Sequence, residues 1–209
     1  MAANQAALRT LLQAIVREPA GALRLLAASP ALAKARVEEG ATRAAAKEHF
    51  FEEILHYVYA GDTALHLATA AYREELARQL VALGADVRAK NRRGAEPLHY
   101  AVDGGPGSPS WDPRAQAAMI AFLLEAGADP NAVDQGGVTP LHRAVRNRCA
   151  AAVGALLDGG ADAQRRNKSG STPMMLAGQT TGRGGVGTAE AKEQQKEIVR
   201  LLGRYGAIR

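Results

Sequence analysis

The sequence predicts an all-α fold built from stacked helical repeats, and three observations carry that prediction. A first word, Thr63-Ala64-Leu65-His66, returns as Glu96-Pro97-Leu98-His99, Thr139-Pro140-Leu141-His142 and Thr172-Pro173-Met174-Met175, with starts 33, 43 and 33 residues apart. A second word, Gly84-Ala85-Asp86, returns as Gly127-Ala128-Asp129, Gly160-Ala161-Asp162 and, altered, Gly206-Ala207-Ile208, at separations of 43, 33 and 46. Two words on one ruler, with extra residues confined between them, mark a tandem array. The third observation is composition: aromatics make up only 4% of 209 residues while alanine abounds, and small side chains let short helices approach closely in thin layers.

Each unit can be read physically. Thr63, Thr139 and Thr172 suit a helix N-cap, and Pro97, Pro140 and Pro173 suit the first helical position, where a missing N–H costs nothing. A second helix follows, with apolar residues at helical spacing: Leu76, Leu80 and Leu83, then Ile120, Leu123 and Leu124, then Val153, Leu156 and Leu157, then Ile198, Leu201 and Leu202. Gly84, Gly127 and Gly160, with Gly206, stand where the helix must stop with a positive φ. Helices this short are unstable alone, so neighbouring units must cover each other's apolar faces.

These words divide the chain into repeats at 58–90, 91–133, 134–166 and 167–209, with insertions near 103–116 and 178–190. Residues 1–60 form an atypical helical cap. Leu8, Leu11, Leu12, Ile15 and Val16, then Leu23, Leu25 and Leu26, predict two short helices closed by Pro19 and Pro30. Glu39-Gly40-Ala41-Thr42 looks like the opening of a repeat, but residues 43–60 intervene, where Phe50, Phe51, Ile54, Leu55 and Val58 predict an amphipathic helix. That helix shields the first clean repeat from water; docking of another protein is its second reading.

Composition narrows the function classes. One cysteine, Cys149, excludes an intramolecular disulfide and fits a reducing compartment. Without an apolar signal core or a run near 18 apolar residues, the expectation is a cytoplasmic protein, with export by a route that needs no signal peptide as the alternative. The net charge of +5 accommodates an acidic partner without marking a nucleic-acid binder.

The unit Gly137-Val138-Thr139-Pro140-Leu141-His142-Arg143-Ala144, followed after a helix by Leu156-Leu157-Asp158-Gly159-Gly160-Ala161-Asp162-Ala163, resembles the ankyrin repeat family. The tandem pattern covers about 58–209, and Ala28 to Thr42 resembles the tail of a degenerate N-terminal copy. The resemblance implies a solenoid of antiparallel helix pairs with β-turn fingers, which recognises protein partners through finger tips and inner helices and is not an enzyme. It also implies that His66, His99 and His142 brace turns. Glu96 at a threonine position, Met174-Met175 for Leu-His, and Tyr72-Arg73 and Arg148-Cys149 for the usual Gly-His turn depart from the pattern. The last departure puts a left-handed turn on residues that resist one. Abundant alanine and arginine point to a G·C-rich bacterial source.

Candidate chemistry is sparse. The repeat histidines occupy successive layers roughly 8–10 Å apart, too far to share a zinc ion that needs nitrogens at about 2 Å. His49 and His56, about 10.5 Å apart along a helix, are equally poor co-ligands, so no metal and no cofactor are expected. Cys149 lacks a neighbouring histidine and reads as a surface or half-buried bystander. Gly182-Arg183-Gly184-Gly185-Val186-Gly187 has nucleotide-loop spacing, but without a preceding strand it reads as an insertion loop.

The partner-binding candidates are basic. Arg88, Lys90, Arg92 and Arg93 surround one finger, Arg165, Arg166 and Lys168 another, and Arg143 and Arg146 lie on the helix between, with Gln135, Val138 and Tyr100 added; Trp111, on an insertion loop, either folds back over exposed Leu and Ala side chains or anchors an interface. On the implied geometry these residues share one rim and concavity suited to an acidic protein. Nucleic acid or phosphate binding through the same residues is the alternative, weakened by how few aromatics interleave with the arginines.

Overall fold

The computed structural model describes residues 2–108, 110–179 and 188–207. They fall into two compact units, 1–101 and 102–209. In the first, α1 (Ala2–Arg17) and α2 (Pro19–Ala28) form an antiparallel pair whose turn is set by Pro19 at the first position of α2. The unit continues through α3 (Ala64–Ala70), α4 (Glu74–Ala82) and α5 (Pro97–Ala101). Every residue of α3 is buried, because α1, α4 and α5 all pack on it. Leu8, Leu11, Ile15, Leu26, Leu65, Leu67, Leu76 and Leu80 fill this core, each contributing roughly 2 kcal/mol of burial.

The predicted helix over 43–60 does not form. Backbone bonds Val37 N–H to Asp62 O (2.8 Å), Gly61 N–H to Val37 O (2.7 Å) and Ala41 N–H to Val58 O (2.7 Å) pair 36–41 with 58–63 as an antiparallel ribbon. From its end projects a small hairpin of β1 (Phe50–Phe51) and β2 (His56–Tyr57), flanked by 3₁₀ turns. The apolar spacing of this segment fits both periods over so short a run, and its β-branched and aromatic residues favour the extended alternative. Gly40 is required here, since a Cβ would lie 2.5 Å from the backbone of Tyr59 and Ala60. The insert is thus a drawn-out finger between α2 and α3, and His49 and His56 sit on strand-linked segments rather than on one helix.

The second unit contains α6 (Pro113–Glu125), α7 (Pro140–Arg146), α8 (Ala150–Asp158), α9 (Pro173–Ala177) and α10 (Ala189–Arg204). Helix α8 packs on α6, α7 and α10, and α9 packs on α7 and α10. Before α6, residues 102–105 fold onto the turn between α7 and α8: Asn147 Nδ2 donates to Val102 O (2.9 Å) and Cys149 Sγ to Gly104 O (2.9 Å). Cys149 is therefore fully buried, not half-exposed, and burial pushes its thiol up to about 12. A neutral, inaccessible thiol is no nucleophile.

The closing glycines adopt the expected left-handed backbone, from φ 75° at Gly206 to 96° at Gly127. The turns between helices do so without glycine: Tyr72 has φ 52° and Arg148 φ 61°. Arg148 is only 2% exposed, and its Nη1 donates to Ala177 O at 3.2 Å. Its guanidinium therefore serves carbonyls at the end of α9 in the next repeat, which offsets a strain of about 1 kcal/mol.

Candidate functional site

The finger tips are built by one repeated device. Oδ1 of Asn91 accepts the N–H groups of Arg93 (2.8 Å) and Ala95 (3.1 Å). Asp134 does the same for Gly136 (2.8 Å) and Val138 (3.0 Å), and Asn167 for Ser169 and Ser171 (3.0 Å each). Each side chain mimics a backbone turn. The aspartate of the Gly-Ala-Asp word repeats the trick one step earlier, with Asp86, Asp129 and Asp162 accepting from the residue two places on. The positions 91, 134 and 167 keep the same spacing as the two words, a signal present in the sequence and missed there.

The histidines lock the fingers to the helices. Nδ1 accepts the backbone N–H of Thr63 in His66 (3.1 Å), of Glu96 in His99 (3.1 Å) and of Thr139 in His142 (3.3 Å). The proton is thereby assigned to Nε2, which in His66 faces Ala95 O (3.2 Å) and in His142 Ser171 O (3.1 Å), each on the next finger. Burial holds both below the ordinary imidazole value, against the opposing pull of Asp62 on His66 and of the Ser171 carbonyl on His142. Thr139 and Thr172 also accept from the amides of His142 (3.3 Å) and Met175 (3.2 Å), as caps do. At Glu96 the histidine contact to the backbone is kept although a carboxylate stands in place of the hydroxyl.

Tyr100 is not a surface anchor. It is 1% exposed, its hydroxyl lies 2.9 and 2.8 Å from the two carboxylate oxygens of Asp62, and Asn91 Nδ2 reaches both Asp62 Oδ1 (2.8 Å) and the Tyr100 oxygen (2.9 Å). The rings of His56 and His66 meet Tyr100 edge-on at 4.2 and 4.9 Å. Asp62, fully buried and also accepting from Tyr59 N–H (2.7 Å), is the hub of this network. Nothing in the repeat words marks it, because it belongs to the drawn-out finger.

The remaining basic candidates of the first unit lie on its surface. Arg88 is exposed, and Lys90 Nζ lies 3.7 Å from Glu96 Oε1. Arg92 and Arg93 hold their guanidinium carbons 5.5 and 5.1 Å from the centre of the Tyr59 ring, Arg92 donates to Ala41 O, and Arg93 Nη1 donates to the Tyr59 hydroxyl (3.3 Å). They remain exposed while tying their finger to the drawn-out one.

In the second unit the arginines separate into two kinds. Arg143 is half-buried and bridges Asp134 (3.0 Å) and Asp103 (3.8 Å). Burial opposes the charge on Asp134, yet Arg143 and the Val138 and Gly136 amides outweigh it and hold that carboxyl below its usual range. Arg146, Arg165, Arg166 and Lys168 are exposed, and among the described residues none forms an ion pair; Arg166 Nη1 donates to Gly170 O at 2.7 Å, which aims it along the finger. Gln135 is exposed and Val138 half-buried at the middle tip. Trp111 is half-buried, with Nε1 donating to Gln116 Oε1 (3.2 Å), so it folds back on the first turn of α6.

Among the described residues no group of histidine, cysteine, aspartate or glutamate is arranged to hold a metal ion, and no helix is long and apolar enough to cross a membrane. The glycine-rich segment 182–187 lies outside the described residues. A shallow cleft lined by Met174, Met175, Gly178 and Val199 offers no acid, base or nucleophile.

Stacked helix pairs joined by braced fingers, with charge displayed at the tips, define a helical repeat scaffold. The family description "ankyrin repeat" matches residues 60–92 and 93–135, and "ankyrin repeats (many copies)" matches 123–177, together more than half of the chain. The chain belongs to the ankyrin repeat family, whose general role is protein–protein interaction. No curated protein matches it significantly.

Proposed function

We propose that the chain holds a protein partner, acidic at the contact, through its finger tips and the exposed residues of its inner helices, and performs no chemistry on it. The observation that supports this most is the sorting of cations in the second unit: Arg143 is used up internally, whereas Arg146, Arg165, Arg166 and Lys168 are presented to solvent without ion pairs among the described residues. An acidic surface gains charge-assisted bonds from such groups at little desolvation cost. In the first unit Arg88, Lys90, Arg92 and Arg93 offer the same sign of charge. Nucleic acid is the weaker reading, because the two aromatic candidates are both engaged within the fold, Tyr100 buried and Trp111 tied to Gln116.

The test is affinity capture from a lysate with the natural chain and with an Arg165→Glu/Arg166→Glu form, after circular dichroism shows both folded alike. A protein retained by the first and lost by the second supports the proposal. Retention of nucleic acid alone, falling steeply with salt, contradicts it.

A further inference from the structure

The drawn-out finger carries a surface that the repeat architecture does not need. Of the chain's one tryptophan, five tyrosines and three phenylalanines, Phe50, Phe51, Tyr57 and Tyr59 fall within residues 50–59. The register Phe50↔Tyr57 and Phe51↔His56 separates them by face. His56 packs on buried Tyr100, so the Phe51/His56 face is inward, and Phe50 and Tyr57 look outward with Tyr59 two residues on. The rings form a continuous row: Phe50 to Tyr57 is 4.6 Å, Tyr57 to Tyr59 is 6.5 Å, and Arg92 and Arg93 close its far end over Tyr59. At the near end Leu55 is 53% exposed and held at φ 50°, and Tyr57 is 38% exposed. A leucine in the left-handed region, pointing into water beside an outward tyrosine, costs stability without serving the core, which is the mark of a site kept for contact.

We propose that this face, with Leu55, Phe50, Tyr57 and Tyr59 as apolar floor and Arg92 and Arg93 as its charged end, is a second docking surface for a protein partner: a segment with an apolar side chain followed by a few carboxylates. Aromatic rings next to arginine are the residue types that carry binding energy at protein interfaces. Charge decides the class of occupant. The two guanidinium groups attract carboxylates at one end, while the exposed Glu48 and Glu52 border the hairpin and repel a strand charged at every residue, so a peptide fits where a nucleic acid does not. The proposal rests on the reading of the chain as a protein-binding scaffold, but it uses a different surface from the fingers of the second unit.

The experiment is selection of a displayed library of random short peptides on the full chain, followed by anisotropy titration of the enriched peptides and of polyuridylate. Expected are apolar-plus-acidic peptides whose affinity falls at least about tenfold in Tyr57→Ser and in Arg93→Glu, two surface changes, and is unchanged in Arg165→Glu/Arg166→Glu. Peptides that lose affinity only with the Arg165/Arg166 change overturn the hairpin surface while leaving the proposed function standing. No enriched peptide, or polyuridylate binding abolished by Tyr57→Ser, overturns it as well.

Discussion

In the fingers led by Asn91, Asp134 and Asn167, a single side-chain oxygen closes the turn by taking two backbone amides. The 36–63 finger has no such residue and is held instead from outside the turn, by a ribbon of backbone bonds and by Asp62 beneath it. The difference shows what an insertion costs in a repeat array. A short finger is braced locally, whereas a long one needs a buried polar network to fix it, and that network draws Asn91, Tyr100 and two histidines into its service.

The largest effect is expected at Asp62. Asp62→Ala removes the acceptor for Tyr59 N–H, the Asn91 amide and the Tyr100 hydroxyl, and is expected to destabilise the first unit by about 3 kcal/mol, read from urea unfolding or amide exchange of residues 36–101. A loss no larger than that of an ordinary surface change would mean the network holds nothing together. Next in size, Asn91→Asp sets a second carboxylate beside Asp62 and should cost roughly 2 kcal/mol. Asp134→Asn keeps both turn bonds, weakens only the pairing with Arg143, and should cost about 1 kcal/mol.

A smaller effect follows from pH. His66 and His142 have folded pKa values below the unfolded 6.5, so the stability of their neutral bonds is present above about pH 6.5 and is lost as pH falls below it toward the folded values. Imidazole signals followed by NMR alongside unfolding midpoints at neutral and mildly acid pH check this; stability rising on acidification through that range would contradict it. Smallest of all, Leu55→Gly relieves the left-handed strain and should stabilise by about 0.5 kcal/mol after the greater freedom of unfolded glycine is counted. If so, Leu55 is retained for something other than stability.

Most of the array could be read directly from the sequence. The recurring glycines mark left-handed helix ends and the His positions mark turn braces because both requirements are local, fixed by backbone conformation and one hydrogen bond. What stayed hidden depends on tertiary neighbours. Tyr100 follows His99 on an inner helix, as a contact residue would, and is buried among Asp62 and His56 of the 36–63 finger and His66, Ala70 and Ala95 of the repeats. The Phe50–Val58 spacing satisfies a helical stripe as well as a hairpin, and pairing of 36–41 with 58–63 decides between them. Cys149 reads as at least half-exposed in the sequence and is buried because residues 102–105 fold over it. Arg148 accepted a positive φ because its guanidinium reaches carbonyls a repeat away.

On the proposed function, the scaffold meets its partner with exposed finger cations and not with the solvent faces of its second helices. Hydrogen–deuterium exchange of the chain alone and in complex with the captured partner tests it most directly. Protection is expected to concentrate at 86–95 and 162–171, with little change along the solvent faces of α8 and α10. Protection confined to α8 and α10, with those fingers exchanging as freely as in the unbound chain, would contradict it.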